Sequence, residues 1–185
     1  SKFYENKYNT HEFNVSLRTI REKYQYNIGF SVQPQESTTS YEQGTIKVDT
    51  TRNVVNFSPT FDYRYRFNKQ SMLRINYRGR TSQPSMTDLL PITDTSDPLN
   101  ISKGNPSLKP SYTNSFMLFY NTFLPEKQQS MMARLTFSNT INSVSNTVTY
   151  DEETGARITQ PKNINGNWSA SGGFVFNTPL KNKKF

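Results

Sequence analysis

The chain has no cysteine, a single histidine and a single tryptophan, and no uninterrupted apolar run approaching the roughly 20 residues of a membrane helix. The missing cysteines exclude a disulfide scaffold, thiolate metal sites and cysteine nucleophiles. The lone histidine, His11, is followed by Glu12 but not by the second histidine of a zinc-protease motif. It is expected as a polar strand residue. Hydrophobic residues are also scarce, at 32% of 185 residues, against about 45–50% in ordinary globular domains on a count that includes glycine. No initiator methionine or signal-like start is present, so the chain is expected to be a piece of a longer or processed protein. What remains is distinctive. Aromatics reach 14%, with Phe 13 and Tyr 11, and the net charge is +8. Such aromatic content does not suit disorder, so an ordered chain must carry its rings on a polar framework.

Alternation of period two recurs in segment after segment. Phe13, Val15 and Leu17 share one face, and Asn14, Ser16 and Arg18 the other. Arg21-Glu22-Lys23 makes a turn into Tyr24, Tyr26, Ile28, Phe30 and Val32, again on one side. Val55, Phe57, Phe61, Tyr63, Tyr65 and Phe67 follow, then Leu73, Ile75 and Tyr77. Less tidy runs hold Phe116, Leu118 and Tyr120, with Met117 and Phe119 opposite, and then Ala133, Leu135 and Phe137. Trp168, Ala170, Phe174 and Phe176 close the series, and Lys183-Lys184-Phe185 would open a further strand. No helical stripe persists. About seven strands are expected, in an all-β, antiparallel, up-and-down arrangement.

The expected connections alternate in length. Short ones fall near 21–23, 68–70, 124–129 and 178–182; long ones near 34–44 and 82–111, with a hairpin tip at 150–156. In a meander this sorts short turns to one end and long loops to the other, as in an outer-membrane barrel. Tyr24, Tyr26, Tyr63, Tyr65 and Phe67 cluster beside the short turns, where a barrel places an aromatic girdle. The reading is a transmembrane β-barrel segment, about 7–8 strands of a larger barrel, occupying residues 1–185. Two competing expectations are a soluble or surface-attached β-sandwich binding glycans or proteins through exposed Tyr and Trp168, and a small closed barrel of about eight strands.

Particular motifs sharpen this. The run Leu73-Arg74-Ile75-Asn76-Tyr77-Arg78-Gly79-Arg80-Thr81-Ser82-Gln83-Pro84-Ser85 leads into Asp97-Pro98-Leu99-Asn100-Ile101-Ser102-Lys103-Gly104-Asn105-Pro106-Ser107-Leu108-Lys109-Pro110. Asn56-Phe57-Ser58-Pro59 and Tyr63-Arg64-Tyr65-Arg66-Phe67 precede it. Over about residues 54–122 these resemble the barrels of Bacteroidetes TonB-dependent receptors, the branch described as an outer membrane protein β-barrel family. Gly104-Asn105-Pro106-x-Leu108-Lys109-Pro110 is the segment most similar to that family. The resemblance implies part of a ligand-uptake receptor in the outer membrane of a Gram-negative bacterium. It also implies outer-membrane lipid, the rest of the barrel, a plug domain and, through the plug, the TonB system as partners, with a surface lipoprotein as a further one. No plug-like segment, TonB box or terminal strand is recognisable, so an internal or late portion of the wall is expected.

Chemistry of the catalytic kind is not expected, nor is a cofactor. No phosphate loop, nucleophile elbow or Rossmann fingerprint occurs. Asp94 and Asp97, with Glu152 and Glu153, could offer oxygens to Ca²⁺, but their spacing does not demand it, and they read as solvated loop charges. Asp94, Asp97, Asn100, Lys103 and Asn105 are candidate ligand contacts in the long loop. Arg64, Arg66, Arg74, Arg78 and Arg80 fall on the parity opposite the aromatics and are candidate lumen-facing residues, as are Arg18 and Arg134. Facing lipid, an arginine would cost about 2–4 kcal/mol at mid-membrane. They would either attract anions or pair with acidic groups. Nucleic acid is not an expected partner, because rings and cations lie on opposite faces of each strand.

Overall fold

The computed structural model describes residues 2–180, so the expected strand at Lys183-Lys184-Phe185 and positions 181–182 of the last short link lie outside the described residues. The chain is built from β1 (Lys2–Thr10), β2 (Phe13–Ile20), β3 (Tyr24–Gln43), β4 (Ile46–Arg66), β5 (Ser71–Ser82), a one-turn helix α1 (Met86–Leu89), β6 (Thr93–Asp94) and β7 (Asn100–Lys103). It continues through β8 (Ser111–Leu124), a 3₁₀ turn (Pro125–Lys127), β9 (Gln129–Ile141), β10 (Ser143–Tyr150), β11 (Arg157–Ile164) and β12 (Asn167–Asn177). An eight-stranded antiparallel sheet runs β1-β3-β4-β5-β8-β9-β12, with β2 also on β3. The seven alternating segments of the sequence are β2, β3, β4, β5, β8, β9 and β12.

β1 and β2 are one lane of the sheet. Thr10 faces Gln35 and Phe13 faces Val32 in a single continuous register. Between them His11 meets Pro34, whose nitrogen carries no hydrogen, so the pair keeps only the bond from the His11 N–H to the Pro34 carbonyl at 3.0 Å. His11 thus lies in a break rather than within a strand, a correction to the sequence reading.

The expected long loop at 34–44 is also corrected. β3 and β4 pair without interruption from Tyr24↔Tyr65 to Gln43↔Ile46, closed by a two-residue turn in which Gly44 takes a φ of 59°. From Val55 on β4 to Phe67 just past its end, the apolar alternation spans about 40 Å at ~3.3 Å per residue, enough to cross a bilayer at a barrel's tilt. Beyond it both faces of the hairpin are polar, rich in Thr, Ser, Glu and Gln. Hydrophobic alternation marks a strand only where one face is apolar, so this extension was invisible to it.

The short turns do gather at one end. The Arg66 N–H donates to the Lys23 carbonyl at 2.7 Å, Phe67 to Ser71 at 3.0 Å and Phe123 to Gln70 at 3.0 Å, while the Gln129 amide donates to the Thr178 hydroxyl at 3.2 Å. At the opposite end the long 82–111 connection folds with the β10–β11 hairpin into a second sheet, order β10-β11-β7-β6. β7 lies parallel to β11, from Arg157↔Asn100 to Thr159↔Ser102.

Among the described residues the buried apolar side chains are Met86, Leu89, Leu90, Leu108 and Ala156, all in the long connections. The large sheet buries no apolar core. Phe13, Val15, Leu17, Ile28, Phe30, Phe57, Leu135, Phe137, Trp168 and Phe174 are all exposed on one face, Val15 to 74%. Burying such a side chain is worth about 1.5–3 kcal/mol, so ten of them facing water would be untenable. Among the described residues no second layer covers them, which does not fit the soluble sandwich expected as an alternative. Among the described residues the sheet is also open, with the β1/β2 lane and β12 at its edges, rather than closed as a small barrel.

Candidate functional site

Cross-strand register assigns each basic residue to a face. One row runs Arg18, Asn27, Asp62, Asn76, Met117, Thr136 and Ser171; the next runs Gln25, Arg64, Arg74, Phe119 and Arg134. Arg66 lies one row nearer the short turns, paired with Met72, and Arg78 one row further from them, paired with Thr60. Arg80 follows two residues along β5, opposite Thr113. All these arginines share the face opposite the exposed rings. Arg74 donates through Nε at 3.0 Å and Nη2 at 2.7 Å to Asp62 Oδ2, which also accepts the Asn76 amide at 3.2 Å. Asp62 was not singled out from the sequence; its signal was its parity with Arg64 and Arg66 on β4. Glu12 joins the same face, accepting from the Ser31 hydroxyl at 3.2 Å.

Two adjoining concavities of ≈ 430 Å³ each open on this face. Arg18, Asp62, Arg64, Arg74 and Arg78 line the first; Arg78, Arg80 and Glu12 the second. Thr60 belongs to both. Gly29, beside it, leaves only 2.5 Å between a would-be Cβ and the Thr60 hydroxyl, so a side chain there would crowd the floor.

At the long-loop end, the Gly104-Asn105-Pro106 segment acts as a clasp between the loop and the β10–β11 hairpin. The Asn105 amide donates to the Pro161 carbonyl at 2.9 Å while its oxygen accepts from the Ser107 N–H at 3.0 Å. Gln160 donates to the Gly104 carbonyl at 3.1 Å, and Asn163 both accepts from the Lys109 N–H at 2.8 Å and donates to the Lys109 carbonyl at 2.9 Å. Below the clasp Met86, Leu89 and Leu108 form a small core touched by Val144. Beside it lies a cavity of ≈ 360 Å³ lined in part by Tyr41, Ile92, Asp94, Lys103, Asn146 and Thr159. Asp94 and Lys103 are therefore brought together at one cavity. Asp97 and Asn100 instead bond each other at 2.9 Å, and Asn105 is engaged in the clasp. Tyr41, Asn146, Thr159 and Asn163 escaped the sequence reading because they lie on the polar strands that alternation does not register.

The loop carboxylates are occupied by their own turns. Asp151 accepts from the N–H groups of Glu153 and Thr154 at 3.0 and 2.9 Å, and from the Thr154 hydroxyl at 2.9 Å. Bonds from Thr154, then Glu153, hold its carboxyl below the ordinary value of 3.8; the Asn100 side chain and the Leu99 N–H do the same for Asp97. A depressed carboxyl stabilises the folded turn above its unfolded value and loses that contribution as pH falls through the folded one. The 151–155 turn should therefore keep its amide protection from neutral pH down to about pH 4 and lose it below. Hydrogen exchange at the Thr154 amide reads this, and Asp151→Ala should abolish the protection at every pH. Among the described residues no three His, Cys, Asp or Glu side chains group as metal ligands, and no helix is long and apolar enough to cross a membrane.

An amphipathic antiparallel sheet with one ring-bearing face exposed and one arginine-rich face is a segment of an outer-membrane β-barrel wall. The sequence matches the Outer membrane protein beta-barrel family over residues 4–184, and the chain belongs to that family, which places it in the outer membrane. No curated protein matches it by sequence. Among solved structures it is similar to the hemophore receptor HasR of Serratia marcescens, solved as a double mutant with its hemophore HasA and heme. That likeness has a TM-score of 0.63 at 14% identity, covering 91% of this chain and 31% of HasR. It is also similar to the siderophore receptor PirA of Pseudomonas aeruginosa, with a TM-score of 0.56 at 11% identity, covering 96% of this chain and 41% of PirA. The chain thus spans well under half of either receptor.

Proposed function

We propose that this chain is a stretch of the barrel wall of a TonB-dependent receptor that takes up ligand across the outer membrane, performing no covalent chemistry itself. The observation that carries this is the pair of opposed faces: rings and aliphatics exposed from Phe13 to Phe176 on one side, arginines on the other. The open β1/β2 and β12 edges support a larger wall, since unpaired backbone groups at a sheet edge are not tolerated in lipid. The arginine face then lines the lumen against a plug, and the clasped loop and its cavity stand at the mouth. Lys103 is the loop residue we assign to ligand, beside Asp94 on the cavity wall; Asp94, which accepts from the Ser96 N–H at 3.0 Å, shapes the loop together with Asp97, Asn100 and Asn105.

Because this chain has no native cysteine, single cysteines placed in it test the reading directly in a full-length protein from which any other cysteines have been replaced. Leu118→Cys and Leu135→Cys should resist a membrane-impermeant maleimide in intact membranes, whereas Lys103→Cys, at the mouth, should react rapidly from the cell exterior. Rapid labelling at both apolar positions would remove the membrane reading. Dependence of uptake on TonB, tested by deleting the energising system in the native host, checks the receptor assignment separately.

A further inference from the structure

The β3–β4 hairpin leaves one backbone edge open, and Pro59 and Thr81 mark where it opens. On β4 the even-numbered residues turn their peptide groups toward β3, as the Arg66 N–H does to the Lys23 carbonyl. The odd-numbered ones turn toward β5, as the Phe67 N–H just past the strand does to Ser71. β5 follows β4 only from Met72 to Arg78, which lies opposite Thr60. The next residue toward the hairpin tip, Pro59, has no N–H to give β5. Beyond it the Thr81 hydroxyl takes both groups of Phe57, accepting its N–H at 3.0 Å and donating to its carbonyl at 3.2 Å. β5 then ends at Ser82, and the chain turns into α1.

From Phe57 to the tip nothing replaces β5. Lys47, Asp49, Thr51, Asn53 and Val55 are all exposed, and among the described residues no bond reaches their backbone N–H and C=O groups. Pairing with β3 runs without a bulge, and neither Pro nor Gly occurs between Ile46 and Ser58. Of the devices that blunt an edge strand, only the charges of Lys47 and Asp49 are present. The open row is about 27 Å long at ~3.4 Å per residue. An extended polypeptide is what matches donors and acceptors alternating at that spacing. Residues 83–110 of this chain do not supply it, being committed to α1, β6, β7 and the clasp. A second copy does not either. Copies inserted the same way run this edge in the same direction, and the two-fold along the membrane normal that relates them sets N–H against N–H.

We propose that the β4 edge from Lys47 to Val55 receives an extended segment of a separate protein at the cell exterior, which fills the lane vacated by β5, antiparallel to β4. Given the barrel-wall reading, on which this rests, this polar half of the hairpin stands outside the membrane. Backbone bonds hold the segment, and cross-strand neighbours select it. β-Branched residues suit the positions opposite Thr51 and Val55. A basic residue suits the position opposite Asp49, since Lys47 is already held by Glu42 at 2.7 Å.

Two measurements on the full-length protein test this. With Asn53 replaced by the photoreactive p-benzoylphenylalanine, every edge N–H and C=O stays in place. Irradiation of intact cells of the native host should give an adduct that mass spectrometry maps to one short segment of another protein. Thr51→Pro removes an edge N–H without touching the β3 ladder and should reduce that adduct about tenfold, whereas Thr51→Ala should leave most of it. An adduct lost equally in both variants, or in neither, marks a side-chain contact and overturns the proposal. The absence of a polypeptide adduct, or an adduct with this protein itself, also overturns it; an adduct with lipid overturns the wall reading beneath it. In the second measurement a synthetic peptide copying the cross-linked segment is added to the purified protein. It should slow amide exchange at Thr51 and Asn53 about tenfold and leave Arg52, which faces β3, unchanged. Equal exchange with and without the peptide sinks the proposal. Should Thr51→Pro fail to assemble by heat-modifiable mobility, the exchange measurement decides.

Discussion

Leu135→Arg should remove the protein from the outer-membrane fraction, while Thr136→Arg, one residue along β9, should leave assembly close to normal. The two positions differ only in parity. Leu135 is 57% exposed on the ring-bearing face, in the row of Ile75, Leu118 and Gly172. Thr136 shares the opposite face with Met117 and Ser171, hydroxyl to hydroxyl with the latter. A guanidinium presented to acyl chains near the bilayer centre costs about 2–4 kcal/mol, against almost nothing in a hydrated lumen. With folding free energies near 5–15 kcal/mol, that is a large share of the stability. Heat-modifiable gel migration of outer-membrane fractions measures both variants. Equal tolerance of the two arginines would show that β9 has no lipid face.

The second large effect is expected at Gly104, the hinge of the clasp. A Cβ built there would lie within bonding range of the Leu90 carbonyl oxygen and 3.0 Å from its carbon, both backbone atoms that cannot rotate aside. Gly104→Val should therefore force the loop off α1, breaking the Gly104-to-Ile92 backbone bond of 3.0 Å and withdrawing the Gln160 acceptor. Overpacking of this kind costs about 1–3 kcal/mol where neighbours yield, and more where they do not. The 82–111 connection should become sensitive to protease on intact cells, while the sheet, whose ladder does not involve Gly104, should keep its heat-modifiable mobility. Asn105→Ala should produce a milder form of the same change, losing the bonds to Pro161 and Ser107, each worth about 1 kcal/mol. A loop as resistant as the native one in Gly104→Val would show that the clasp does not order the mouth.

The legibility of the fold tracked the contrast between the two faces of each strand. β2, β3 from Tyr24 to Val32, β4 from Val55, β5, β9 and β12 were all readable, because lipid on one side and water on the other write a period of two into the sequence. The outer half of the β3–β4 hairpin was misread as a loop because Ser37, Thr38, Thr39, Thr50 and Thr51 carry no such contrast. β1 was hidden for the same reason, and Pro34 explains why it parts from β2. The arginines could be assigned a face by parity, but not the pairing of Arg74 with Asp62, which joins residues 12 apart on neighbouring strands. Likewise, the Gly-Asn-Pro motif could be recognised, while its partners Pro161 and Asn163 lie more than fifty residues further along the chain.

The order of residues alone determined that this chain makes two-faced strands with rings on one side and arginines on the other, joined by short turns near 21–23, 68–70 and 124–129. These are local properties, set by side-chain parity and turn chemistry. Only the tertiary structure decided that Arg74 is neutralised by Asp62, while Arg52 and Arg64 each keep a buried N–H without an acceptor among the described residues. It also decided that the long loop is a clasped second sheet with its own small core. Both depend on the register between distant strands, and register is a collective outcome of pairing that no single segment encodes.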